Sequence, residues 1–229
     1  MAVYAISDLH LSLNSNKSME VFPGWEGYVD KIKNNWEKKI SDEDTVVIIG
    51  DISWAMSLEE AKKDLKFLND LPGKKVLIKG NHDYWWSTKA KVNNFLKENN
   101  FDTIEILYNS ACKAENISIC GTRGWMYGSE ESEDQKILAR EVGRLQTSLD
   151  CAHKLGLSPI VFLHYPPVYG SGESEKIINI LIERNIKKCY YGHIHGDEAK
   201  KSIVEGIYKD IEFHLVSCDY VDFCPVPVS

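Results

Sequence analysis

Residues 74–86 read KKVLIKGNHDYWW, and the way this stretch ends sets the reading of the whole chain. Val76, Leu77 and Ile78 form a short apolar run of the kind that lies in a buried strand. The run then stops at Gly80, and an amide, an imidazole and a carboxylate follow directly as Asn81, His82 and Asp83. Buried polar groups must find partners. A strand that ends this way is either making an elaborate turn or building a site.

The same ending recurs along the chain. AVYAI (2–6) leads to Ser7, Asp8 and His10, TVVIIG (45–50) to Asp51, PIVFL (159–163) to His164, and KKCYYG (187–192) to His193 and His195. Five of the seven histidines fall in these blocks, whereas His153 sits in a helical pattern and His214 in a tail strand, where structural roles are expected. In open α/β sheets, ligands bind beyond the carboxyl ends of the strands, so these residues are expected to converge on one sheet edge. Within Asp8-Leu9-His10 and His193-Ile194-His195 the polar residues are two apart, and an extended backbone projects them to the same side.

Helical patterns separate the strands. They cover Trp25 to Ile40, 57–71 with Leu58, Ala61, Leu65 and Leu68 on one face, and Ser87 to Lys97. A longer one runs from Ser132 to Leu155 on Leu138, Val142, Leu145, Leu149 and Ala152, before Gly156, and another covers 174–185. Alternation of strand and helix predicts an α/β fold with a mostly parallel sheet. Two short strands, IEILYN (104–109) and ISICGT (117–122), are expected to pair as a hairpin, and 202–223 reads as antiparallel strands. Residues 121–134 are the most loop-like internal stretch.

A chain of 229 residues without a low-complexity linker is expected to form one domain over 1–229. No apolar run reaches the roughly 18 residues of a membrane span, and the start lacks the pattern of a secretory signal. The six cysteines are scattered without a C-x-x-C pair, which argues against a zinc ribbon and for a reduced, cytoplasmic protein. A formal net charge of −7 offers no general attraction for nucleic-acid polymers. It leaves small phosphorylated substrates open, because bound metal ions reverse local charge.

Taken in order, SDLH, Gly50-Asp51, Gly80-Asn81-His82-Asp83, His164 and Gly192-His193-Ile194-His195 resemble the five-block signature of calcineurin-like metallophosphoesterases. The resemblance implies a four-layer αββα sandwich of two mixed β-sheets flanked by helices, with a dinuclear metal site at the C-terminal ends of the strands. It implies that Asp8, His10, Asp51 and His195 hold one ion, and that Asp51, Asn81, His164 and His193 hold the other. Imidazole, carboxylate and amide donors without thiolate suit Mn, Fe or Zn. The implied reaction is hydrolysis of a phosphomonoester or phosphodiester by in-line attack of a metal-bridging hydroxide. His82 would protonate the leaving group or stabilise developing charge, and Asp83 would either orient His82 or cap the following helix.

The chain departs from protein serine/threonine phosphatases of the superfamily. It reads GDISWAM (50–56) and HYPPVYG (164–170), with no arginine after Asp51 to grip phosphate. Arg123 is either a substitute phosphate contact or a surface arginine. Trp85, Trp86, Trp125, Tyr127 and Tyr169 either wall the site or belong to the core. A non-catalytic scaffold with this fold and a small nuclease or nucleotide phosphodiesterase are the alternative functions. The presence of His82 argues against the scaffold, and the acidic balance against a nuclease of polymers. Specificity is expected in loops 11–24, 121–134 and 165–175.

Overall fold

The computed structural model describes residues 1–125 and 131–228, so Tyr127 and the middle of loop 121–134 lie outside the described residues. The first half runs β1 (Val3–Ile6), α1 (Tyr28–Lys39), β2 (Thr45–Ile49), α2 (Leu58–Asp70), β3 (Lys74–Ile78), α3 (Lys89–Glu98) and β4 (Ile104–Ile106). The second half begins with β5 (Ala111–Ala114), β6 (Ile117–Thr122), α4 (Ser132–Lys154) and β7 (Ser158–Leu163). It continues through β8 (Val168–Tyr169), β9 (Gly172–Glu173), α5 (Glu175–Glu183), β10 (Lys188–Tyr191), α6 (Asp197–Lys200), β11 (Gly206–Tyr208), β12 (Ile211–Leu215) and β13 (Val226–Pro227).

Helix ends follow their local chemistry. Ser57 caps α2 by accepting from the Glu60 N–H, and Thr88 caps α3 by accepting from the Lys91 N–H. Past α4, Gly156 takes φ 66°, a left-handed turn suited to glycine.

The strands form two large sheets in the orders β13-β1-β2-β3-β4 and β11-β12-β10-β7-β6-β5. Strands β1 to β4 pair in parallel, and β13 joins β1 antiparallel. In the second sheet β6, β7, β10 and β12 are parallel, flanked by antiparallel β5 and β11. The expected parallel pattern therefore holds for the sheet centres, where helices make the crossovers, and gives way to antiparallel strands at the edges.

One expectation is corrected. IEILYN does not pair with ISICGT: β4 extends the first sheet beside β3, with Leu77 opposite Ile106, while β5 takes the antiparallel place beside β6. The turn at Glu115-Asn116, with Glu115 at φ 51°, closes a tight β5–β6 hairpin, and α3 returns the chain to the first sheet instead.

Strand residues alternate between two apolar layers. Val3, Ala5, Val47, Ile49, Val76 and Ile78 of the first sheet meet Ile119, Ile160, Phe162 and Tyr190 of the second. Outside the first sheet, Ile6, Val46, Ile48 and Leu77 pack on Ile32 and Trp36 of α1, Leu65 and Leu68 of α2, and Phe95 of α3. Outside the second, Val161, Leu163 and Tyr191 pack on Leu145 and Leu149 of α4 and Ile177 and Leu181 of α5. These three layers of contact define the expected αββα sandwich. No helix of the described residues is long and apolar enough to cross a membrane.

Candidate metal centre

The five polar strand endings lie together on one edge of the sandwich, laced by backbone hydrogen bonds. The Asp8 N–H donates to Gly50 O at 3.0 Å, the His10 N–H to Asp51 O at 2.9 Å, and the Gly192 N–H to His164 O at 3.2 Å. This lacing forces unusual backbone: Asp8, His10, Asp51 and His193 have φ of 62°, 46°, 49° and 72°. Non-glycine residues in that region cost about 1–3 kcal/mol each, and such strain concentrates at functional sites. Close approach also explains the glycines. A Cβ on Gly80 would overlap Asp51 N and Oδ1, and one on Gly192 would overlap Ser7 Oγ.

Two groups of ligand atoms result, Asp8 with His10 and His195, and Asp51 with His164 and His193, each within 4.8 Å internally. Asp51 joins them, because its Oδ2 lies 3.8 Å from His10 Nε2 and 3.5 Å from His164 Nε2. His164 Nδ1 donates to Ile49 O at 2.9 Å, which leaves its Nε2 lone pair facing Asn81 Oδ1 at 2.7 Å. His10 Nε2 and His195 Nε2 face each other at 3.3 Å. Asp8 Oδ2 accepts from the His193 N–H and the Ser217 hydroxyl, both at 2.9 Å, but Asp8 Oδ1 and His10 Nδ1 are buried without a hydrogen bond. Convergent acceptors of this kind fit cations, and the donor types suit borderline to hard metal ions.

The electrostatics point the same way. Burial together with the charges of Asp8 and Asp83 pushes Asp51 up to about 9. For Asp8, burial is outweighed mainly by the charge of His195, so its carboxyl stays below the usual range. Burial lowers His164 to about 3 and lowers His10 and His193 as well. His195 is the exception: burial lowers it, but Asp8 and Asp219 overcome that and raise it to about 10. Positive charge placed between the two carboxylates would relieve their repulsion.

His82 stands at the rim of the first group. Its N–H donates to Asp51 Oδ1 at 2.7 Å, and its half-buried ring lies 4.4 Å from Trp54 and 5.7 Å from His10 by centroids. Both expected roles of Asp83 are corrected. Asp83 Oδ1 accepts from the Ile52 and Ser53 N–H groups at 2.9 and 3.2 Å and from Trp85 Nε1 at 3.0 Å, and Oδ2 accepts from the Gly80 N–H at 2.7 Å. That leaves His82 Nδ1 without a partner, and α3 is capped by Thr88. A buried carboxylate surrounded by four donors is spent on tying the β2 loop to the β3 loop.

Other residues enter that sequence reading did not single out. Asp219 Oδ1 lies 3.1 Å from His195 Nδ1 and Asp219 Oδ2 lies 3.0 Å from Lys200 Nζ. Asp219 follows the apolar run HLVSC (214–218), the same strand-then-acid signal as the other blocks. Trp54 stacks on His10 at 4.7 Å, and the Trp25 edge meets His10 and His195 at 6.1 and 5.7 Å. Trp85 and Trp86 are core, at 2% and 3% exposure. Tyr169 is partly buried and donates to Ala199 O. His214 lies 3.0 Å from Glu205, away from the site. Arg123 is largely covered: it lies 3.5 Å from Glu141, with its guanidinium 4.5 Å from the Trp125 ring centroid.

The sequence profile of the calcineurin-like phosphoesterase family matches residues 1–197. A protein described as of unknown function from Aquifex aeolicus is 20% identical with a TM-score of 0.54, over 99% of this chain and 95% of that one. A protein of Thermus thermophilus is 12% identical with a TM-score of 0.55, over 85% of this chain and 82% of that one. At these identities the likeness concerns the fold. No curated protein sequence matches.

Proposed function

The chain belongs to the calcineurin-like phosphoesterase family, and from that premise we propose that it is a metal-dependent phosphohydrolase cleaving a small phosphomonoester or phosphodiester. The observation that carries this reading is Asp51 Oδ2, placed within 4 Å of a histidine Nε2 from each ligand group. Asp8, His10, Asp51 and His195 would hold one ion, and Asp51, Asn81, His164 and His193 the other, with Mn, Fe or Zn as the ions their donors suit. Bound there, two such ions supply Lewis acidity toward phosphoryl oxygens and bring the pKa of water down to about 7.

The remaining work falls to side chains. His82, at the rim with its ring beside that of His10, donates a hydrogen bond or proton to the oxygen that leaves phosphorus. Asp219 fixes the His195 ring through Nδ1, and the Tyr165 ring, 4.2 Å from that of His193, holds the other flank. Asp83 acts through the loop, by keeping the His82 backbone against Asp51. The reaction is an in-line displacement by water, and no covalent phosphoenzyme is needed.

A core shared by both sheets supports a single functional domain over 1–229, and six free cysteines support a cytoplasmic setting. The complete ligand set together with His82 favours an enzyme over a scaffold, and the net charge of −7 favours small substrates over polymers. The test is turnover of nitrophenyl mono- and diesters with and without Mn²⁺. Hydrolysis that appears only with the ion supports the reading. No turnover of either ester at saturating Mn²⁺ refutes it.

A further inference from the structure

Beside the metal centre, at the seam between the sheets, lies a cavity of ≈ 280 Å³. The ends of β3 and β6, the loop after β4 and the inner face of α4 enclose it, and its wall includes Lys79, Trp86, Tyr108, Arg123, Glu141 and Arg144. Among the described residues these charges do not balance, because three cationic side chains meet one carboxylate. Glu141 is already committed: it accepts from Thr122 Oγ1 and Arg144 Nη1, both at 2.5 Å, and lies 3.5 Å from Arg123 Nη2. Lys79 Nζ donates to the uncharged Trp86 O at 3.1 Å.

Among the described residues two donors of this wall remain unused. Trp86 Nε1 and Arg123 Nε are buried and make no hydrogen bond, and Trp86 is only 3% exposed. Buried donors without acceptors are rare, and surplus positive charge selects an anionic acceptor. Both guanidiniums are held in place by rings, Arg123 4.5 Å from the Trp125 centroid and Arg144 5.3 Å from the Tyr108 centroid. Planar, fixed guanidiniums suit carboxylate and phosphate. The volume falls just below the roughly 300–1,000 Å³ of pockets for drug-sized ligands, which suits one compact anionic group.

The cavity adjoins the metal centre through the backbone. Lys79 precedes Gly80 and Asn81, and Arg123 O accepts from the N–H of Tyr165, the neighbour of His164. We propose that this cavity binds an oxyanion, phosphate or carboxylate, and serves as the subsite for a second anionic group of the substrate. The substrate role rests on the phosphohydrolase reading; the oxyanion chemistry does not.

Inorganic phosphate titrated into the full-length, chelator-treated chain tests the chemistry, with the indole N–H resonances followed by nuclear magnetic resonance and Trp86→Phe assigning the peak. The Trp86 signal is expected to shift saturably, with affinity lowered about fivefold or more in Arg123→Gln. The other indole signals verify the fold. A Trp86 signal unmoved by millimolar phosphate, or moved equally in Arg123→Gln, overturns the proposal without touching the phosphohydrolase reading. In the metal-loaded enzyme, Arg144→Gln is expected to raise the KM for a bisphosphorylated sugar about fivefold more than that for nitrophenyl phosphate. Equal changes would overturn the substrate role and assign the cavity to free phosphate.

Discussion

The two ligand groups meet at Asp51, yet they are held in different ways. In the Asp51, His164 and His193 group, support comes largely from the main chain: Ile49 O fixes the His164 ring, and the His193 N–H is anchored on Asp8. In the Asp8, His10 and His195 group, support comes from side chains far away in sequence: Ser217 on Asp8, Trp54 on His10 and Asp219 on His195. A ring held by a backbone carbonyl keeps its position through most substitutions. A ring held by a carboxylate loses it when that one carboxylate is changed.

The largest expected effect removes the comparison altogether. Asp51→Asn weakens the residue both groups share, so both ions should be lost and turnover should fall about a thousandfold or more; metal analysis alongside nitrophenyl phosphate kinetics checks this. His82→Ala separates chemistry from binding. It should keep both ions while turnover falls about 10²–10⁴-fold, and parent-like turnover would remove His82 from the mechanism. Asp219→Asn probes the asymmetry directly. Mn²⁺ affinity should fall about 10–100-fold at the Asp8, His10 and His195 group alone, as two-site calorimetric titration would resolve, and equal weakening at both groups would contradict it.

The smallest effect is one of pH. Ligands must be deprotonated to bind, so a ligand whose pKa lies above the working pH costs about tenfold in affinity per unit fall in pH. Asp51, at about 9, and His195, at about 10, are such ligands, whereas His164, at about 3, is not. Filling both groups at neutral pH should therefore release at least two protons per chain, one from Asp51 and one from His195, with a further fraction from the bound water. Titration in buffers of different ionisation enthalpy measures this, and release of none would contradict the assignment.

The asymmetry also explains what the sequence could and could not reveal. The strand endings were legible because apolar runs stop abruptly at polar residues, and every inferred metal ligand lies on the predicted edge. The helical faces were legible for the same periodic reason: Ala61, Leu65 and Leu68 are buried in α2, and Leu145 and Leu149 in α4. The partner of β4 was not, because neighbours in a sheet are chosen by the crossover that precedes them, and α3 carries β4 to the first sheet. Nor was the role of Asp83, which depends on four donors, two from the loop after β2 and two from its own turn. Trp54 reaches its histidine through space rather than through local spacing, whereas Asp219 carries the strand-then-acid signal but stands outside the five-block pattern. Buried Glu141 interrupts the apolar face of α4, and its meaning appears only when Arg123 and Arg144 are seen around it.

The central claim is that two ion sites share Asp51 and that hydrolysis depends on them. The most direct test is ion stoichiometry after equilibration with Mn²⁺, measured together with turnover of nitrophenyl phosphate on the same samples. The account predicts two ions per chain in the parent, with activity that vanishes on chelation and returns with the metal. An empty centre at saturating Mn²⁺, or turnover undiminished by chelator, would contradict it.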